Sequence, residues 1–73
     1  MKHHYIILVS YYDTDAGRKF NRNYSFYGTH GQVEERIKKQ FKGYTAIGSI
    51  KDVKIDLLRA DRLTFIKTYK EAS

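Results

Sequence analysis

The stretch Tyr5-Ile6-Ile7-Leu8-Val9-Ser10-Tyr11-Tyr12 decides the fold. It is apolar at odd and even positions alike. A strand sends successive side chains to opposite faces, so this one asks for cover on both sides. It belongs in the middle of a sheet, and the remaining residues must show what covers it.

Downstream, Asp13-Thr14-Asp15-Ala16-Gly17 reads as a turn, because aspartate can bond its own backbone and Gly17 accepts a positive φ. Residues 18–27 read as a second strand. Phe20, Tyr24 and Phe26 fall on one face, and Lys19, Asn21, Asn23 and Ser25 on the other, with Arg22 intruding on the aromatic side. Thr29 and Gln32 form a T-x-x-Q capping box that opens a helix over 30–42. Val33, Ile37 and Phe41 give it a narrow apolar stripe, and Gly43 is a natural stop. Glu34 with Lys38, and Glu35 with Lys39, support it as i,i+4 pairs.

After a connector over 44–49, a third strand over 51–59 alternates cleanly. Val53, Ile55 and Leu57 point inward; Lys54, Asp56 and Leu58 point outward. Arg59-Ala60-Asp61-Arg62 is a short turn. Residues 63–70 form a fourth strand, with Leu63 and Phe65 on one face and Thr64, Ile66 and Thr68 on the other. The tail Glu71-Ala72-Ser73 is expected to fray.

This order predicts one α+β domain over 1–73: a two-layer ββαββ sandwich with a four-stranded antiparallel sheet, order 2-1-3-4, and one helix on one face. Strand one is the most apolar and therefore central; strand two is the most polar and therefore an edge. Which face of strand one meets the helix depends on hairpin register, since a slip of one residue exchanges the faces. A three-residue loop, Asp15-Ala16-Gly17, sets Thr14 opposite Arg18. Ile6 and Leu8 then lie beneath the helix, while Tyr5, Ile7, Val9 and Tyr11 share the open face with Lys19, Asn21, Asn23 and Tyr27. A four-residue loop reverses this. The first is preferred, because tyrosine tolerates a half-wet surface.

A chain of 73 residues has a marginal core, burying only about 60% of the surface it exposes when unfolded. The absence of cysteine rules out disulfides and cysteine-ligated zinc and fits a reducing compartment. Self-association or a partner remains as extra support. Lys plus Arg is 14 against 8 for Asp plus Glu, an excess that favours polyanions. No segment has the length of a membrane span or the pattern of a signal peptide, so the expected location is cytoplasmic, with no membrane partner.

The expected binding face gathers Tyr5, Ile7, Val9, Tyr11 and Tyr27 with Arg18, Lys19 and Lys54. Bases stack on aromatic rings while cations hold phosphates. The lysines Lys38, Lys39 and Lys42 read as a solvated helix face, and Asp13 and Asp15 as turn formers rather than metal ligands. No nucleophile has an orienting base, so the expectation is a non-enzymatic module without metal or cofactor. Its expected partner is nucleic acid or a nucleoprotein complex, with a homodimer through the same face compatible. In size, lack of cysteine and single compact domain, the chain also resembles the small inhibitors that phages encode against host machinery, anti-CRISPR proteins among them. That resemblance implies a protein target, with Ile7, Val9 and Tyr11 as anchors.

Overall fold

The computed structural model describes residues 1–70; the expected fraying of 71–73 lies outside them. The elements follow in the predicted order: β1 (His3–Asp13), β2 (Arg18–Gly28), α1 (His30–Thr45), β3 (Ile50–Arg59) and β4 (Thr64–Lys70). The sheet runs β2-β1-β3-β4 with every pair antiparallel, and the helix packs on one face.

The capping box is present. Thr29 Oγ1 accepts from the Gln32 N–H at 3.2 Å, and the Thr29 N–H donates to Gln32 Oε1 at 2.9 Å. The helix does not stop at Gly43. It continues to Thr45, where the Ala46 N–H donates to the Lys42 carbonyl at 3.1 Å and the Ile47 N–H to the Tyr44 carbonyl at 3.2 Å. A glycine inside a helix costs about 1 kcal/mol. The docking of Tyr44 offsets this: its hydroxyl lies 3.2 Å from that of Tyr24, and its ring 5.2 Å from that of Tyr11.

The hairpin register differs from the one preferred on sequence. Asp13, not Thr14, opposes Arg18, so the loop has four residues. Its geometry explains the choice. The Gly17 N–H donates to the Asp13 carbonyl at 2.8 Å with Gly17 at φ 68, and Asp13 Oδ1 accepts from the Asp15 N–H at 2.9 Å and the Ala16 N–H at 3.3 Å. Aspartate organises the turn only from the last paired position. Tyr5 thereby opposes Phe26, Ile7 opposes Tyr24 and Tyr11 opposes Phe20, all on the helix side.

The core is accordingly Tyr5, Ile7, Val9 and Tyr11 from β1, Val33 and Ile37 from the helix, and Val53, Ile55 and Leu57 from β3, each no more than 6% exposed. Phe20, Tyr24, Phe26, Phe41, Ile50 and Tyr69 pack around it, half-buried. On the flank of the helix towards β4, His30 Nε2 meets Glu34 Oε1 at 2.6 Å, and the Tyr69 hydroxyl donates to Glu34 Oε2 at 3.2 Å, tying β4 to α1.

Two irregularities bend the sheet. The β1–β3 register shifts between Ser10 and Tyr12, next to Asp52 at φ 56, as expected where one strand carries an extra residue. The β3–β4 register shifts between Leu57 and Leu58, with Leu57 opposite Lys67 and Leu58 opposite Phe65. The second shift brings Phe65 to the same face as Thr68, where simple alternation had set them apart. Among the described residues no helix is long and apolar enough to cross a membrane.

Candidate functional site

The sheet face away from the helix is uncovered, and the register assembles it row by row. At one end Tyr27 lies beside His4, with ring centroids 4.5 Å apart. The next row is Ser25, Ile6, Leu58 and Phe65; then Asn23, Leu8, Asp56 and Thr68; then Asn21, Ser10, Lys54 and Lys70; and finally Lys19, Tyr12 and Lys51. Side chains two residues apart on one strand share a face about 7 Å apart, so the row holding Ile6 and the row holding Lys54 are separated by about 13 Å.

The two ends differ in chemistry. Ile6, Leu8, Leu58, Phe65 and Tyr27 make one end apolar, with Phe65 57% and Tyr27 59% exposed. Lys19, Lys51, Lys54 and Lys70 make the other basic. The Lys51 ammonium sits 5.3 Å from the centre of the Tyr12 ring. The carboxylate in these rows is Asp56. Its Oδ1 accepts from the Thr68 hydroxyl at 2.7 Å and its Oδ2 lies 3.9 Å from Lys54 Nζ, too long for a strong ion pair. Between the ends lies a depression of about 390 Å³, lined by Leu8, Ser10, Lys19, Asn21, Asn23, Lys54 and Asp56 together with parts of Val9 and Arg22.

Of the residues expected to form the binding face, Lys19, Tyr27 and Lys54 stand on it. Tyr5, Ile7, Val9 and Tyr11 do not. The four-residue loop turns them under the helix, where they form the centre of the core. Arg18 is also on the helix side, opposite Asp13, with its guanidinium 4.5 Å above the centre of the Phe20 ring. In their place the face holds Ile6, Leu8, Tyr12, Lys51, Leu58, Phe65 and Lys70. Leu58 already reads as outward from the alternation of its strand, and the signal for Ile6, Leu8 and Tyr12 was present. The even residues of β1 are interrupted by His4 and Ser10, whereas the odd ones are apolar without a break from Tyr5 to Tyr11.

Polar chemistry on the helix side is structural in character. Arg22 Nε donates to the Tyr11 hydroxyl at 3.5 Å, and burial, reinforced by the hydrogen bond with Tyr24, pushes the Tyr44 phenol up to about 12. Burial and the neighbouring Glu34 also raise Tyr69. Among the described residues no three His, Asp or Glu side chains converge to hold a metal ion. No protein-family model, curated protein or solved structure matches this chain.

Proposed function

We propose that this protein is a non-enzymatic cytoplasmic module that docks on single-stranded nucleic acid, free or within a nucleoprotein complex, through the open face of its sheet. The observation that supports the reading is the arrangement at the basic end: Lys19, Lys51, Lys54 and Lys70 around Tyr12, with Asp56 engaged by Thr68. Lysines supply phosphate contacts, Tyr12 supplies a stacking surface, and Asn21 and Asn23 offer hydrogen bonds to base edges in the depression between them. An uncovered sheet face is open enough for splayed bases, which favours a single strand over a duplex. The test is a fluorescence-anisotropy titration of a labelled mixed-sequence oligonucleotide over a range of salt. Neutralising four phosphates on a single strand gives a slope of about −3 in log K against log salt. Binding without salt dependence removes the reading.

The apolar end supports a second reading, an inhibitor or accessory protein that grips a protein target. Phe65 and Tyr27 would be its anchors, in place of the buried Ile7, Val9 and Tyr11. Phe65→Ser would then abolish capture of that target while leaving oligonucleotide affinity unchanged. Loss of both together contradicts a separate protein site.

A further inference from the structure

The edge strand β2 is long and regular. It pairs with β1 over eleven consecutive positions without a bulge, carries no proline, and among the described residues its outward edge has no neighbour in the sheet. The opposite edge differs: β4 spans seven residues and its register is broken by the shift near Leu58. Proteins usually blunt an exposed edge by shortening, bulging, proline or charge, and of these β2 carries only charge, at Arg18, Lys19 and Arg22. Its aromatic face is also incompletely covered, since Phe20, Tyr24 and Phe26 pack only half-buried at the margin of the helix.

We infer that β2 pairs antiparallel with β2 of a second copy, about a two-fold axis at Asn23, to give a continuous eight-stranded sheet. Asn23 is the midpoint of the strand from Arg18 to Gly28, so this register alone uses its full length. It also makes the strand complementary to itself. On the open side Lys19 faces the partner's Tyr27 and Asn21 faces the partner's Ser25. On the helix side Phe20 faces the partner's Phe26 and Arg22 faces the partner's Tyr24. Asn23 faces its own image. No like charges stand directly opposite, Phe20 meets Phe26, and Lys19 and Arg22 each meet a tyrosine ring, while Arg18 meets Gly28.

Neighbouring registers lose this. An axis at Arg22 sets that guanidinium against its own image, and one at Tyr24 leaves Arg18 and Lys19 beyond the paired length. A two-fold perpendicular to the sheet puts both helices on one side and both open faces on the other. The second copy thereby covers Phe20 and Phe26 and doubles the lysine-bearing surface. The inference does not need the nucleic-acid reading, because the pairing is made by the backbone edge of β2, although Lys19, Asn21 and Asn23 also line the open face.

The test uses Asn23, which is exposed, so its substitution leaves the monomer intact. Multi-angle light scattering on nucleic-acid-free protein at low salt should give twice the 8.6 kDa chain mass for the wild type. Asn23→Lys and Asn23→Glu should each run as a monomer with an unchanged circular dichroism spectrum, since each sets like charges together at the axis. Mixing the two variants in equal amounts should restore the doubled mass. A wild type that stays monomeric up to millimolar concentration overturns the inference. So do single variants that dimerise like the wild type, or a mixture that does not recover.

Discussion

The two hairpins share a loop length and a left-handed last loop residue but fill that position with different side chains, which makes a matched pair of substitutions informative. In each, four residues join the strands, between Asp13 and Arg18 and between Arg59 and Thr64. The last loop residue is left-handed in both: Gly17 at φ 68 and Leu63 at φ 50. For an L-residue with a side chain that conformation costs about 1–2 kcal/mol. Leu63 recovers little by packing, since it is 70% exposed. Replacing it by glycine removes the strain and adds about 0.5–1 kcal/mol of unfolded-state entropy cost. The net expectation for Leu63→Gly is a gain of about 0.5–1 kcal/mol, a rise in Tm of about 2–8 °C for a domain of this size. Gly17→Ala is the mirror experiment. A Cβ there meets nothing within 4 Å, so the backbone alone sets the loss, about 0.5–1 kcal/mol. Both are read by urea unfolding followed by circular dichroism. A loss of stability in Leu63→Gly refutes the reasoning, and would mean that the exposed leucine makes contacts worth more than its backbone strain.

Ile6 and Ile7 are chemically identical neighbours on opposite faces. Ile7→Ala should cost about 2–5 kcal/mol, most of the stability of so small a domain, while half-buried Ile6→Ala should cost less than about 1 kcal/mol; the reverse order in urea unfolding would restore the three-residue register. At high pH the raised Tyr44 phenol provides a signature. Its neutral form is favoured by folding, so that contribution is complete below pH 10.0, its ordinary value, and is lost as pH rises towards about 12. The urea midpoint should fall more steeply above pH 10.0 in the wild type than in Tyr44→Phe, which keeps the ring and removes the titration; equal slopes contradict the assignment.

Element order and sheet order were legible because each rests on strong local chemistry. The apolar run over residues 5–12 requires the centre of a sheet, the polar face of β2 requires an edge, and Thr29 with Gln32 marks the helix start to the residue. The hairpin register was not legible from loop composition, since Gly17 can serve a three- or a four-residue loop equally. What distinguishes them is Asp13, whose carboxylate can hold the turn only from the final paired position. Preferring a wet surface for tyrosine also misjudged Tyr5 and Tyr11, whose rings are the larger part of their surface and are buried here. Three of the expected site residues kept their places because β2 and β3 alternate unambiguously. Phe65 and Lys70 escaped notice because a register shift in β4 follows from tertiary fit and leaves no pattern in seven residues.

The most direct test of the open face compares two double variants with the same change in net charge. Lys19→Glu with Lys54→Glu reverses charge on the sheet face, and Lys38→Glu with Lys39→Glu does so on the exposed side of the helix. Oligonucleotide affinity is measured for both by anisotropy at one low salt concentration. The sheet variant should lose at least about tenfold, as expected when two phosphate contacts become repulsions, while the helix variant stays within about threefold of the wild type. Equal losses in the two would assign binding to net charge alone, and an unaffected sheet variant would remove nucleic acid from the open face.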